Sequence, residues 1–251
     1  MRVFILPPSF SGTKEFQLDD KDSHYLTRVL RLQTGSLLPG RDRQGNDWDL
    51  LISEIDKKSV LLTCTPAADA HLQQKIQAIS LFQCICKGKK MDQIIRQSTE
   101  IGVNEIIPVI SRYTLSNAGS STHLSQQKLQ RWEIIIKEAL QQSGSPVLTE
   151  LKSPRSFEEM LEMIKNGYMG LFFHQEKISS STMAETLLPD KEKENRLPLA
   201  VIIGPEGGFS ESEVDKMRKT GLKPVFLNTN ILRAETAAIY ALAAVQTLLS
   251  D

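Results

Sequence analysis

The chain has 251 residues, and its 30 lysine and arginine residues are balanced by 30 aspartate and glutamate residues. Zero net charge excludes a histone-like protein whose whole surface binds phosphate, while 40% hydrophobic and 24% charged residues exclude an intrinsically disordered chain. The longest stretch without charged residues, 236–250, is too short to span a bilayer, so no transmembrane helix is predicted.

The segment up to about residue 70 predicts a small, mostly β domain, which we place at residues 1–72. Its short strand-like runs are RVFIL, LLPG, WDLLISEI and SVLLTCT, with turn signals at Gly40 and at 44–46. One helix interrupts them, beginning near Asp20 and keeping apolar residues at helical spacing through Val29 and Leu30. The opening run MRVFILPPSF, with one basic residue and two prolines, is a poor secretory signal, and we expect a cytoplasmic protein.

Residues 73–251 predict a second domain in which strands alternate with helices, the pattern of a mainly parallel α/β sheet. The predicted strands are Ile79–Cys86, Glu105–Ile110, Val147–Leu151, Met169–His174, Leu199–Ile203 and Pro224–Leu227. The predicted helices are Met91–Ile101, Gln126–Gln142, Phe157–Asn166, Glu211–Thr220 and about Ala234 to Leu249. Each of the first four helices has a glycine at or near its end, for which we expect the left-handed conformation that terminates a helix. Because knots are nearly absent from proteins, this pattern alone favours an unknotted, Rossmann-like sheet.

The cysteines and histidines show no metal-binding pattern. The three cysteines, at positions 64, 84 and 86, include no CxxC pair, and the four histidines, at positions 24, 71, 123 and 174, form neither HExxH nor an HxH pair. We therefore expect no disulfide framework and no metal site.

The segment after the fifth predicted strand, IGPEGGFSESE, is a candidate ligand loop, because ligands of parallel α/β sheets bind at the carboxyl ends of strands. Its three glycines allow the backbone to approach a ligand closely, and Ser210 with Glu213 forms a capping box that predicts the start of a helix. The segment is neither GxGxxG nor a P-loop. Taken alone, the segment is as consistent with a tight strand-to-helix connection as with a loop that binds a ligand.

The segment after the sixth predicted strand, NTNILRAETAA, leads into a helix with alanines at positions 234, 237, 238, 241 and 244. This stripe of small residues predicts close packing, either within the fold or against a second subunit. Arg233 and Glu235 are either solvated ends of the turn or groups of a site.

The two segments together closely resemble the last two motifs of the RsmE family, SPOUT-superfamily methyltransferases that act on small-subunit ribosomal RNA. Supporting resemblances are KGKKMD at 87–92, TEIGV at 99–103, the RW, EA and QSG groups of 131–144, and HYLTRVLR at 24–31. The chain departs from the last motif at Asn228 and Asn230, where the family pattern has glycine and arginine.

This resemblance implies an α/β fold in which a PUA-like β-barrel is followed by a SPOUT domain with a C-terminal trefoil knot, and it implies a homodimer. The implied reaction is methyl transfer from S-adenosylmethionine to N3 of a uridine in the decoding region of 16S ribosomal RNA. The cofactor would be held by the two late motifs and the end of the fourth strand. The implied residues are His174, Gly204, Pro205, Glu206, Gly207, Gly208, Leu227, Asn228, Ile231, Leu232, Arg233, Ala234 and Thr236.

The uridine N3 proton must leave during such a reaction, so the site needs a base or a cation that favours the N3 anion. Glu206 and Glu235 are possible bases, and Arg233 is the natural anion stabiliser. Either carboxylate could instead have a structural role, Glu206 in shaping its loop and Glu235 at a helix N-terminus.

Cationic residues near the predicted domain starts are candidates for RNA contact, with a solvated charged face as the alternative. They are His24, Arg28, Arg31, Arg41, Arg43, Lys87, Lys89, Lys90 and Arg96. Two rival functions remain open: a SPOUT methyltransferase acting on another RNA position, and a non-catalytic RNA-binding protein of ribosome assembly with the same fold.

Overall fold

A computed structural model describes residues 2–57, 59–68, 77–115, 124–176, 182–187, 197–227 and 229–250. The chain divides into two compact units, the first formed by Met1–Gln73 with Leu140–Leu148 and the second by Gln74–Ala139 with Thr149–Asp251. The domain boundary predicted between residues 72 and 73 lies outside the described residues. None of the helices in the described ranges is long and apolar enough to cross a membrane.

The first unit contains a five-stranded sheet in the order β1-β3-β4-β5-β2. Its strands are β1 Phe4–Ile5, β2 Glu15–Gln17, β3 Leu37–Arg41, β4 Asp47–Ile55 and β5 Val60–Pro66. The β1 and β3 strands pair in parallel and the other pairs are antiparallel. The β2 strand was not predicted, because it has only three residues, is mostly exposed and shows no hydrophobic alternation.

The predicted single helix of this unit is two segments of different winding. An α-helix, α1 Asp20–His24, is followed by a π-helical turn over Tyr25–Val29, where the Leu30 amide donates to the Tyr25 carbonyl. The wider winding breaks the 3.6-residue period, which explains why Val29, predicted on the apolar face, is 58% exposed.

The second unit contains a parallel sheet in the order β12-β10-β11-β6-β7-β8, with β9 also paired to β7. Its strands are β6 Ile79–Cys84, β7 Glu105–Ile110, β8 Glu150–Leu151, β9 Arg155–Ser156, β10 Met169–His174, β11 Leu199–Ile203 and β12 Lys223–Phe226. The predicted parallel α/β sheet is confirmed, and every pair recorded in it is parallel.

Seven further helices are described, and all of them except the end of α4 belong to the second unit. They are α2 Lys90–Ile101, α3 Arg112–Leu115, α4 Gln126–Ser143, α5 Phe157–Gly167, α6 Met183–Leu187, α7 Glu211–Lys219 and α8 Ala234–Ser250. The short helices α3 and α6 were not predicted, because one turn carries no measurable period. Gly102, Gly144 and Gly221 have positive φ as expected. The expectation for Gly167 is wrong: it belongs to α5, and the helix ends at Tyr168 in an extended conformation.

The alanine stripe of α8 packs within the unit. Ala238 and Ala241 are fully buried, and α8 packs against α2 and β11. Because alanine side chains are small, the backbone of α8 can approach α2 and β11 closely.

Candidate functional site

A cavity of about 440 Å³ lies at the carboxyl ends of β10, β11 and β12. Its volume falls within the range of about 300–1,000 Å³ that is usual for small-molecule sites. Two segments supply most of its wall: the first cavity loop, 204–209, and the second cavity loop, 227–233, of which residue 228 is not described. The lining residues are Lys90, Phe173, His174, Gln175, Ile203, Gly204, Pro205, Glu206, Gly207, Gly208, Phe209, Phe226, Leu227, Thr229, Asn230, Ile231, Leu232, Arg233, Ala234 and Ala237.

The first cavity loop is a tight turn held by its own residues. The Gly208 amide donates to the Pro205 carbonyl at 2.9 Å, and Gly208 has a φ of +68°, which an L-residue adopts only with strain. Phe209 is buried, with its ring 6.5 Å from that of Phe172. The turn therefore presents its backbone groups to the cavity while Phe209 anchors it in the core.

Glu206 is ion-paired rather than free. Its Oε1 atom accepts hydrogen bonds from the Lys90 ammonium at 2.8 Å and from the Lys87 amide at 3.1 Å. Burial opposes ionisation of this carboxyl, but the hydrogen bond from Lys90 and those from backbone amides outweigh it and lower the pKa of Glu206. A carboxylate with a lowered pKa is a weaker general base.

The second cavity loop presents Arg233 to solvent, and its guanidinium has no ion-pair partner among the residues described. Ile231 in the same loop is 85% exposed. Glu235, in the first turn of α8, is half-buried and does not line the cavity. Its Oε2 atom is enclosed and has no hydrogen-bond partner among the described residues, and its charge helps to raise the pKa of Lys90.

Cys86 lies close to this group of charges. Burial is the larger cause and the nearby Glu206 carboxylate the second of a rise in the pKa of Cys86 to about 12. The thiol is therefore protonated at neutral pH, and a thiolate nucleophile is not part of the site.

Two domain families match the sequence: an RNA methyltransferase domain over residues 73–246 and an RNA methyltransferase PUA domain over residues 18–63. The chain is 33% identical to the ribosomal RNA small subunit methyltransferase E 2 of Borreliella burgdorferi over 240 residues, covering 93% of this chain and 91% of that protein. The chain belongs to the RsmE family of ribosomal RNA small subunit methyltransferases. The resemblance carried by IGPEGGFSESE and ILRAETA is thereby confirmed.

Two further RsmE-family proteins extend the comparison. The ribosomal RNA small subunit methyltransferase E of Synechocystis is 30% identical over 230 residues, which are 91% of this chain and 71% of that protein. The crystal structure of the Neisseria gonorrhoeae ribosomal RNA small subunit methyltransferase E, bound to S-adenosylmethionine, superposes with a TM-score of 0.81. It is 26% identical, and the alignment covers 99% of this chain and 98% of that one.

Most of the residues that the resemblance implied for the cofactor line this cavity. Those that line it are His174, Gly204, Pro205, Glu206, Gly207, Gly208, Leu227, Ile231, Leu232, Arg233 and Ala234. Thr236 is exposed on α8 and does not line the cavity, while Asn228 lies outside the described residues. Of the predicted catalytic residues, Glu206 and Arg233 line the cavity and Glu235 lies beside it.

Sequence reasoning missed the apolar walls of the cavity. Phe173, Ile203 and Phe226 lie at the ends of predicted strands, and none of the three was predicted as a cofactor residue. Lys90, predicted as an RNA contact, also lines the cavity. Phe173, Ile203 and Phe226 are the last or second-last residues of their strands, and the rule that ligands bind at the carboxyl ends of strands could have identified them.

The candidate RNA contacts differ in accessibility. His24, Arg28, Arg31, Arg43, Lys87, Lys89 and Arg96 are exposed. Arg41 is the exception, because it is 2% exposed, pairs with Asp47 at 2.7 Å and donates to the Ser145 carbonyl. A guanidinium enclosed by these partners cannot also bind a phosphate, so Arg41 is removed from the RNA-contact candidates.

Proposed function

We propose that this chain transfers a methyl group from S-adenosylmethionine to N3 of a uridine in the decoding region of 16S ribosomal RNA. The observation that carries the proposal is the cavity formed by the two loops that hold the RsmE motifs. Its support is membership of the family and the bound S-adenosylmethionine of the Neisseria gonorrhoeae relative.

The residues of the cavity fit S-adenosylmethionine. Phe173, Phe226 and Leu232 would provide apolar wall for the adenine ring and the methylene groups, and the first cavity loop would offer backbone donors and acceptors. The Glu206 carboxylate in the first cavity loop would complement the ammonium group of the molecule. When bound, S-adenosylmethionine supplies an electrophilic methyl group on a sulfonium.

Glu235 is the better candidate for the base that accepts the uridine N3 proton. The Glu206 carboxylate already accepts hydrogen bonds from Lys90 and Lys87, and its lowered pKa weakens it as a base. Glu235 Oε2 has no hydrogen-bond partner among the described residues, so a lone pair remains available for a proton. Glu235 is half-buried in the first turn of α8, between the cavity-lining Ala234 and Ala237, which supports this assignment.

Arg233 would stabilise the anion that forms when N3 loses its proton. Its guanidinium lines the cavity and has no competing ion pair among the described residues. A permanent cation next to the developing charge on the uracil oxygens lowers the free energy of the transition state more than that of the ground state.

The exposed cations, together with the partly exposed Lys90, are the proposed contacts to ribosomal RNA. His24, Arg28, Arg31 and Arg43 belong to the first unit, and Lys87, Lys89, Lys90 and Arg96 belong to α2 or the turn before it. We assign the first group to an RNA-binding domain ending near residue 72. Local patches of this size bind phosphate without making the whole protein basic.

We infer that the protein works as a cytoplasmic homodimer with a C-terminal trefoil knot, as the family resemblance implies. The packing of α6, from the β10–β11 connection, against both β12 and α8 supports the knot. The exposed hydrophobic residues Ile231, in the second cavity loop, and Tyr240, on α8, support the presence of a second subunit.

Calorimetric titration with S-adenosylmethionine, followed by transfer of a labelled methyl group to small ribosomal subunits that lack the modification, tests the proposal. We expect both binding and transfer. Binding without transfer to subunits or to free ribosomal RNA would contradict the substrate, and absence of binding would favour the non-catalytic RNA-binding alternative.

A further inference from the structure

The two oxygens of the Glu213 carboxylate bind two different connections of the second unit. Oε2 accepts hydrogen bonds from the Ser210 amide and hydroxyl, both at 2.8 Å. Oε1 accepts a hydrogen bond from the Arg112 amide at 2.9 Å. Glu213 is only 6% exposed, and a buried carboxylate is stable only while such donors stay in place. The carboxylate therefore joins the end of the first cavity loop to the start of α3.

The bond to Arg112 is not needed to begin a helix. At α5, Ser156 and Glu159 form the same kind of capping box, in which the Ser156 amide donates to Glu159 at 2.7 Å. Glu159 is exposed, and its other oxygen lies 3.7 Å from the Arg155 guanidinium at the surface. The comparison separates two roles of Glu213, which are the capping of α7 and the attachment to Arg112.

The residue after Arg112 packs against the first cavity loop. A Cβ atom at Gly207 would lie 3.3 Å from the Cβ and Cγ atoms of Tyr113, which is closer than ordinary van der Waals contact. The turn that holds Tyr113 is itself bonded, because the Thr114 amide donates to the Ser111 carbonyl at 3.1 Å. The two hydroxyls of Ser111 and Thr114 are also within hydrogen-bond distance, 3.0 Å. Gly207 of the first cavity loop therefore packs against Tyr113, which belongs to a hydrogen-bonded turn.

We propose that Glu213 is a positioning residue for the cofactor cavity, setting the first cavity loop through Ser210 and the Arg112–Tyr113 support. The inference rests on the proposed function, because it takes the cavity as the S-adenosylmethionine site. All six residues of 204–209 line the cavity, so a shift at Gly207 or Ser210 displaces the backbone groups that face a ligand. Neither Glu213 nor Tyr113 lines the cavity, and both act from behind the loop.

Glu213→Gln tests this role with little change of shape. The amide nitrogen of the new side chain must face an N–H donor at Ser210 or at Arg112, so at least one hydrogen bond is lost. Glu159→Gln makes the same change in the capping box of α5 and is the matched control. Hydrogen–deuterium exchange without ligand is measured in peptides covering 204–210.

We expect exchange at 204–210 to be about tenfold faster in Glu213→Gln, the change that corresponds to one lost buried hydrogen bond, and unchanged in Glu159→Gln. The Kd for S-adenosylmethionine should rise by about tenfold in Glu213→Gln alone. Equal exchange in the two variants would overturn the positioning role.

The outcomes separate this inference from the proposed function. A wild-type protein that does not bind S-adenosylmethionine would contradict the proposed function, while the exchange comparison would still decide the role of Glu213. If Glu213→Gln does not fold, Tyr113→Ala removes the support under Gly207 and keeps the capping box. Faster exchange at 204–210 in Tyr113→Ala would then support the inference, and unchanged exchange would overturn it.

Discussion

The Lys90 ammonium lies 2.8 Å from the Glu206 Oε1 atom and joins the N-terminus of α2 to the first cavity loop. Both side chains are partly exposed, so water and salt reduce the strength of the pair. The ion pair mainly fixes the position of the Glu206 carboxylate, which binds Lys90 of α2 and is therefore less available as a base.

Loss of the Lys90 ammonium should lower the free energy of unfolding only slightly. A double-mutant cycle of Lys90→Met and Glu206→Gln, measured as free energy of unfolding, should give a coupling of about 0.2–1 kcal/mol, the range of exposed ion pairs. Lys89→Met is the control, since Lys89 is exposed beside it. If the two substitutions changed the free energy of unfolding additively, the ion pair between Lys90 and Glu206 would be contradicted.

Removal of the Arg233 guanidinium should affect the reaction rather than cofactor binding. In Arg233→Ala we expect kcat to fall by about a hundredfold, as on removal of one transition-state donor, while the Kd for S-adenosylmethionine stays nearly constant. Arg218→Ala, an exposed arginine on α7, should retain wild-type kinetics. Unchanged turnover in Arg233→Ala would remove Arg233 from the proposed mechanism.

Arg41 should prove to be a stability residue. Arg41→Met leaves the largely buried Asp47 carboxylate without its partner and removes the bond to the Ser145 carbonyl. We expect a loss of about 3 kcal/mol or more in denaturant unfolding, as for other broken buried ion pairs. The exposed Arg43→Met should change stability by less than about 0.5 kcal/mol. Similar small effects in both variants would contradict the assignment.

Glu105 should make part of the stability depend on pH. Burial opposes its ionisation, but hydrogen bonds from Lys152 at 3.1 Å and Ser80 at 3.0 Å outweigh it and lower the pKa of Glu105. Because the pKa is lower in the folded state, the stabilisation is complete above the ordinary value of 4.5 and is lost as the pH falls through the lowered value.

Glu105→Gln should therefore destabilise the protein at neutral pH and lose less further stability than wild type on acidification below about pH 4.5. Urea unfolding at a series of pH values measures this difference. The exposed Glu162→Gln should follow the wild-type curve. Parallel curves for Glu105→Gln and wild type would show that this carboxylate is not responsible.

The elements that could be predicted are those specified by residues close together in the sequence. The strands Glu105–Ile110, Met169–His174 and Leu199–Ile203 have the predicted bounds, because most residues of each are apolar and the runs are short. The capping box of Ser210 and Glu213 was likewise readable from two residues at fixed spacing.

The rest depended on residues distant in the chain. The burial of Arg41 against Ser145 and the packing of Tyr113 under Gly207 join positions about a hundred residues apart, which no local pattern reports. For the same reason the ion pair of Glu206 with Lys90 was not predicted, although both residues had been singled out for other roles.

Nucleoside analysis of 16S ribosomal RNA, recovered from small subunits after incubation with the protein and S-adenosylmethionine, tests the central claim most directly. Subunits lacking the modification serve as substrate, and Arg233→Ala, for which we expect a much lower rate, serves as the control. The account predicts N3-methyluridine at one position in the decoding region. A methyl group on a ribose, on another base or at another position would contradict it.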